Sequence, residues 1–309
     1  MTLQQLQYVV ALDNHRHFVK AAESCFVAQP TLTLQVKKLE DEIGLVLFDR
    51  SAQPLKPTPL GISFISKARE ILREVDALKN MVNTEKEVLE GTFRLGVIPT
   101  LAPYLLPLFI KQFSEDHPAI SLEVKEMQSN EIISGLKNES LDIGLMVTPV
   151  NDNAIREYVL FYEPFLVYTS EENTLFDKEE VSATDIIPDG LWLLNQGHCF
   201  RNQVLNICNT SNLSAHKGLS FESGSIETLK NLVRYNYGYT LVPELSIHKK
   251  IDDPFLRRFS EPQPAREVSI VVHQSFAREL LMERLRQAIL NVVPDNFKKN
   301  KKFLKIQWR

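Results

Sequence analysis

The chain has 309 residues, 44% hydrophobic and 24% charged, with a formal net charge of −4. That length holds more than one core, and the composition is that of an ordinary globular protein rather than a disordered or fibrous one. The charge argues against nucleic-acid binding over the whole surface, three cysteines are too few for a disulfide-stapled secreted scaffold, and no apolar run reaches the roughly 20 residues that span a bilayer. Met1-Thr2-Leu3-Gln4-Gln5-Leu6 lacks the basic and apolar regions of a signal peptide, so a cytoplasmic location is expected.

Residues 1–57 read as a small helical domain. Leu3, Leu6, Val9 and Val10 fall at helical spacing, and Phe18, Ala21, Ala22 and Cys25 form a second short apolar face. Cys25 is expected to be a small buried hydrophobe there. Phe26-Val27-Ala28 interrupts the pattern, and Gln29-Pro30 opens a third helix with proline in its favoured first turn. Leu32, Val36, Leu39 and Ile43 step by 4, 3 and 4 and face inward, leaving a polar and basic outer face. Helix, tight turn and helix is the plan whose second helix enters the major groove. Its candidate DNA-facing residues are Gln29, Pro30, Thr31, Leu34, Gln35, Lys37 and Lys38, with Arg50 leading into a Pro-containing loop, Ser51 to Pro59. Gln29, Thr31 and Gln35 suit base edges, Leu34 a thymine methyl, and the lysines phosphates. A three-helix structural module with a solvated face is the alternative.

From 58 to 91, Phe64, Ala68, Ile71, Val75, Leu78, Val82 and Leu89 form a stripe of alternating 4 and 3 spacing, with only Glu85 out of character, ended by Gly91. A coiled-coil stripe on an otherwise polar helix implies a dimer. The arrangement Phe18…Ala21-Ala22…Gln29-Pro30-Thr31-Leu32-Thr33…Lys38-Leu39-Glu40-Asp41-Glu42-Ile43-Gly44…Leu47-Phe48-Asp49-Arg50 resembles the winged helix-turn-helix of LysR-type transcriptional regulators. It departs from the family's pattern at Ala28, where Ser is usual, and at Gln53 and Pro54, in a stretch of the wing that is often basic. The resemblance implies three parts. They are a winged helix-turn-helix in 1–57, a dimerisation linker helix in 58–91, and a two-lobed, periplasmic-binding-protein-like α/β sensor domain in 92–309. It also implies double-stranded DNA with dyad-symmetric promoter sites as partner, a homodimer or homotetramer, contact with RNA polymerase, no enzymatic turnover, no cofactor and no membrane.

The remaining chain alternates strands and helices. Strands are expected at Phe93–Ile98, Leu122–Glu126 and Asp142–Val147, with helices at Leu101–His117 and Glu131–Lys137 between them. That order predicts a mostly parallel sheet covered on both faces. A second set follows: strands at Phe165–Tyr168, Leu219–Phe221 and Tyr239–Val242, and a helix at Ser225–Tyr235. After the break Pro262-Gln263-Pro264, a strand at Val268–Val272 and a helix at Ala277–Val292 return to the first lobe. The lobes are placed at about 92–164 with 266–297, and 165–265. The last dozen residues, with Lys298, Lys299, Lys301, Lys302, Lys305 and Arg309, read as a frayed tail.

Cys199 lies between His198 and Arg201 and nine residues before Cys208. His198 and Arg201 are groups able to hold a thiolate, the reactive form. Two other readings stand beside a redox pair: core thiols among Phe200, Val204, Leu205 and Ile207, or a metal site of His198, Cys199, Cys208 and His216. The latter is disfavoured because adjacent His and Cys rarely reach one metal together. Gly197-His198-Cys199-Phe200-Arg201-Asn202-Gln203 with Cys208, Ser225-Ile226-Glu227-Thr228-Leu229-Lys230-Asn231 and Gly96-Val97-Ile98-Pro99-Thr100 resemble the peroxide-sensing branch of the family. Adjacent Glu40-Asp41-Glu42 and His15-Arg16-His17-Phe18 agree with it. That resemblance makes hydrogen peroxide the signal, Cys199 the peroxidatic and Cys208 the resolving thiol, with Thr100, Ser129, His198 and Arg266 around the peroxide. Asn202 stands where an acidic residue is familiar. If 199–208 were one helix its end Cα atoms would be about 13 Å apart, against the roughly 4.4–6.8 Å of a disulfide, so pairing must rebuild the segment. A regulator gated by a small organic effector and a thiol peroxidase are the competing functions.

Overall fold

The computed structural model describes residues 1–84, 89–208, 221–236, 238–298 and 303–308. Two compact units divide the chain, one built on Met1–Val88 and a larger one holding Leu89–Lys137, Leu141–Gln274 and Glu279–Arg309.

In the first unit α1 (Leu3–His15) starts at a capping box, in which the Thr2 side chain accepts from the Gln5 N–H and the Gln5 side chain caps Thr2 in return. Helices α2 (Phe18–Ser24) and α3 (Gln29–Ile43) follow, and α3 stops at Gly44, whose φ of 67° suits glycine. Leu32, Val36 and Leu39 are fully buried against Val9, Leu12, Ala21 and Ala22. A two-stranded wing, β1 (Phe48–Asp49) with β2 (Lys56–Pro57), leads into α4 (Pro59–Thr84). The expected stripe on α4 is divided. Ile65, Ala68 and Leu72 are buried, the last two beside Leu6 and Val10 of α1, whereas Ile71 and Leu78 are 41% and 65% exposed. Helix α1 claims a face rotated from the predicted seam. The Val82 side chain lies outside the described residues, and Leu89 lies in the coil beyond α4.

The second unit begins with β3 (Gly91–Val97), α5 (Ala102–Asp116), β4 (Ile120–Glu126), α6 (Ser129–Lys137) and β5 (Ile143–Thr148). The long strand β6 (Ile155–Thr169) leaves the first lobe, and β11 (Gln263–His273) returns to it. Between them lie β7 (Glu180–Val181), β8 (Leu191–Trp192), α7 (Cys199–Cys208), α8 (Ile226–Arg234), β9 (Tyr239–Pro243), α9 (Lys249–Asp252) and β10 (Leu256–Phe259). Helix α10 (Glu279–Val292) and β12 (Phe303–Lys305) complete the unit.

The sheet is mixed rather than mostly parallel. Strand β3 is parallel to β4 and β5, but β11 runs antiparallel to β5 and β6, as β6 does to β9 and β10. The cause is the pair of crossing strands, one carrying the chain out and the other back. Strand β6 leaves β11 after the Pro164–Ala265 pair, and from Phe165 onward it pairs with β9. Its first half escapes the sequence pattern because Arg156, Glu157 and Tyr158 are only half-buried and break the apolar run. The expected break at Pro262–Pro264 is also corrected: β11 starts at Gln263, with Pro264 near the strand end, where a missing N–H is tolerated.

Within the expected tail, residues 303–308 are not frayed. Strand β12 pairs in parallel with the start of β11, Ile306 and Trp308 are buried, and Lys305 pairs with Glu267 at 2.7 Å. The expected strand residues 219–220 and His216, Lys299, Lys301, Lys302 and Arg309 lie outside the described residues. No described helix is long and apolar enough to cross a membrane.

Candidate functional site

Cys199 is the first residue of α7 and is buried, 4% exposed. The turn before it requires glycine. Gly197 has φ of 95°, and a Cβ there would come within 2.5 Å of Gln128 Oε1. A small pocket at the thiol is lined by Ile98, Pro99, Thr100, Gln128 and Ser129 from the first lobe and by Gly197, His198 and Cys199 from the second. Thr100 follows the carboxyl end of β3 and Ser129 that of β4, each at the start of a helix, where free N–H groups collect.

Arg266 is fully buried and stands behind Thr100. Its Nε donates to Glu163 Oε2 at 2.8 Å, its Nη1 to Thr100 Oγ1 at 2.8 Å and its Nη2 to the Thr100 carbonyl at 3.0 Å. Its guanidinium also lies 5.6 Å from the centre of the Phe200 ring. Glu163, equally buried, accepts the Leu245 N–H at 2.8 Å through its other oxygen. Burial pushes the Glu163 carboxyl up, and the Arg266 charge opposes this. Because Thr100 Oγ1 accepts from Arg266, its own hydrogen is free. Ser129 Oγ is buried without a closed hydrogen bond and faces the same thiol.

Burial pushes the Cys199 thiol up, opposed by the Ser129 hydroxyl and then by the Arg266 charge. The flanking cation expected at Arg201 is turned elsewhere, with Nη1 donating to the Leu194 carbonyl at 2.8 Å. Two positions along a helix do not share a face, so Arg201 cannot follow Cys199 inward. Burial lowers the pKa of His198, with the Glu126 charge opposing, which favours the neutral ring. The charge that reaches the thiol comes from β11.

Cys208, at the far end of α7, packs half-buried against the second-lobe core, and burial pushes its thiol up to about 12. Both cysteines are free. Ten helical residues place their Cα atoms about 13 Å apart, which also prevents them from sharing one metal. Thr100, Ser129, His198 and Arg266 therefore meet at Cys199, while Arg201 and Cys208 do not. Sequence reasoning missed Gln128 and Glu163. The signal for Glu163 was a lone carboxylate in the run Phe161-Tyr162-Glu163-Pro164-Phe165-Leu166, where an unpaired charge is costly.

On α3, Gln29, Pro30, Thr31, Leu34, Lys37 and Lys38 are exposed. Gln29 Nε2 donates to Thr33 Oγ1 at 2.9 Å, and the half-buried Gln35 accepts from Gln5 Nε2 at 3.4 Å. Ala28 is the N-cap and offers no side-chain cap. Arg50 pairs at 2.8 Å with buried Glu40, which also accepts the Leu47 and Phe48 N–H groups, so Arg50 fastens the wing to α3. Cys25 is half-buried, its thiol pushed up by burial.

Residues 3–62 match the bacterial regulatory helix-turn-helix protein, lysR family, and residues 86–294 match the LysR substrate binding domain. The chain belongs to the LysR family of DNA-binding transcriptional regulators. Within that family its relatives include OxyR proteins. It is 34% identical over 301 residues to the DNA-binding transcriptional dual regulator OxyR of Escherichia coli K12, covering 97% of this chain and 98% of that one. It is 32% identical to the hydrogen peroxide-inducible genes activator of Haemophilus influenzae, over 95% of this chain and 97% of that one. A full-length OxyR variant from Pseudomonas aeruginosa has the same fold, with a TM-score of 0.82, 31% identity and coverage of 95% and 99%. OxyR from Porphyromonas gingivalis matches with a TM-score of 0.64 and 29% identity, over 70% of this chain and all of that one.

Proposed function

We propose that this LysR-family regulator senses hydrogen peroxide through Cys199 and switches by a reversible Cys199–Cys208 disulfide, controlling oxidative-stress genes. The observation that carries the reading is the pocket at Cys199, where the Thr100 and Ser129 hydroxyls lie beside a buried thiol and the buried Arg266 guanidinium stands behind Thr100. The Cys199 thiolate attacks one peroxide oxygen, the O–O bond breaks, and the leaving hydroxide takes a proton to become water. Thr100 and Ser129 hold the peroxide and polarise its leaving oxygen. Cys208 then attacks the sulfenic sulfur, the S–S bond forms and a second water leaves. Two thiols give up two electrons and peroxide becomes two waters. The narrowness of the pocket favours this signal over an organic effector, whose sites run to roughly 300–1,000 Å³.

The α3 face is the proposed DNA reader, with Gln29, Thr31 and Gln35 toward bases, Leu34 toward a thymine methyl and Lys37 and Lys38 on phosphates. Its target is dyad-symmetric double-stranded promoter DNA. A homodimer, assembled further into a homotetramer, is inferred, and exposed Leu60, Ile62, Ile71 and Leu78 on α4 support self-association. Contact with RNA polymerase belongs to the same reading. The names of the relatives support activation as the outcome. The test is thiol mass spectrometry after a brief low dose of peroxide, read alongside a DNA footprint. A Cys199–Cys208 disulfide appearing together with a changed footprint is expected. A footprint that shifts while both thiols stay reduced would overturn the reading.

A further inference from the structure

The segment Phe303–Trp308 is held by the helix that carries both redox cysteines. Strand β12 sits beside β11, with Pro264 opposite Leu304 and Ala265 opposite Lys305. The Ile306 N–H continues this pairing, donating to the Ala265 carbonyl at 2.9 Å. Three consecutive carbonyls are then taken by side-chain amides of α7. Gln203 Nε2 donates to Ile306 O at 2.8 Å, Asn206 Nδ2 to Gln307 O at 2.8 Å and Asn202 Nδ2 to Trp308 O at 3.1 Å. Residues 202, 203 and 206 stand on one side of α7 only while it is helical. Ile306 packs in the second-lobe core with Phe200, Val204 and Ile207, and the Trp308 indole donates to the Pro149 carbonyl at 3.0 Å.

A helical α7 and a Cys199–Cys208 bond exclude each other, because about 13 Å must shrink to roughly 4.4–6.8 Å. We propose that Phe303–Trp308 is an intramolecular latch on the reduced state, released when the disulfide dismantles the amide row of Asn202, Gln203 and Asn206. The latch rests on the Cys199–Cys208 reading of the switch. A contact made in only one of two states favours that state by its full free energy. Docking of the segment therefore makes the cysteine pair harder to oxidise, and its loss favours the disulfide. The latch sets the oxidant threshold, and its release uncovers Ile306 and Trp308. Asn202, in place of a familiar acidic residue, is a donor here, whereas an ionised carboxylate would meet the Trp308 carbonyl as a second acceptor.

The test uses the full chain, a variant lacking 303–309, and the double substitution Asn202→Ala with Asn206→Ala, two exposed positions where folding is spared. Each is equilibrated in glutathione buffers, where the dithiol passes two electrons and two protons to oxidised glutathione. The Cys199–Cys208 disulfide is counted by thiol trapping and mass spectrometry. Deletion should raise the oxidation equilibrium constant about tenfold, which is about 30 mV lower in midpoint potential. The double substitution should move it several-fold in the same direction. In the full chain, amide hydrogen exchange over 303–308 should speed up at least about tenfold on oxidation, and not in Cys199→Ser. If the disulfide forms while 303–308 stays protected, or if neither variant moves the equilibrium, there is no latch and the switch stands. If no buffer yields a Cys199–Cys208 disulfide, the switch fails and the latch with it.

Discussion

Helices α3 and α7 both carry residues that the proposed function needs, but on opposite sides. On α3 the inward face is Leu32, Val36 and Leu39, and the working face is exposed. On α7 the working cysteine is buried against Thr100 and Ser129 of the other lobe, while outward amides are occupied by a distant segment of the same chain. Stability and function are therefore separable residue by residue on α3 and entangled on α7. A surface reader must meet a partner that arrives from outside. A buried thiol must be tuned by neighbours that folding brings to it.

The largest contrast is expected from Cys199→Ser, which should abolish the peroxide-induced footprint change while unoxidised DNA binding persists. A footprint that still switches in this variant would remove Cys199 from the centre of the site. Next is Arg266→Met. It leaves Glu163 fully buried without its partner and should cost about 3–5 kcal/mol in urea unfolding near neutral pH. That loss should shrink on acidification. With Arg266 gone the Glu163 pKa is raised further, so the variant's stability falls as pH rises through that pKa and recovers below it. A loss independent of pH would mean that Glu163 is not the uncompensated charge.

A sharper form of the comparison sets two leucines of α3 side by side. Leu32→Ala, at a fully buried position, should destabilise the N-terminal unit by about 2–5 kcal/mol. Leu34→Ala, 52% exposed, should change stability by no more than about 0.5 kcal/mol yet weaken operator binding. Equal unfolding costs would show that the two faces of α3 have been confused. At α7, burial raises the thiol, so the rate of Cys199 oxidation should climb about tenfold per pH unit below the thiol pKa. A rate flat from pH 6 to 8 would show a thiolate already formed. The smallest effect is expected from Lys37→Ala: binding weakens alike on all sequences, and the salt slope drops by about 1. Gln29→Ala should instead relax base choice at constant slope.

Much of this molecule was written in local pattern. The periodicity of Leu32, Val36 and Leu39, the proline at the start of α3 and the strand–helix alternation after Gly91 each specify an element within a few residues, because helix and strand impose their own spacing. That Thr100, Ser129 and Arg266 gather around Cys199 was likewise anticipated by motif resemblance. Only the tertiary structure decided which charge meets the thiol. Arg201, two residues away, is carried off by the helical turn, and Arg266, 67 positions on, is delivered by a strand crossing between lobes. It also divided the α4 stripe and, within the expected frayed tail, paired 303–305 with β11 and held 306–308 on α7. Local sequence sets which backbone states are cheap. Which of them is kept, and beside what, is decided by burial and hydrogen bonding between segments that sequence spacing does not relate.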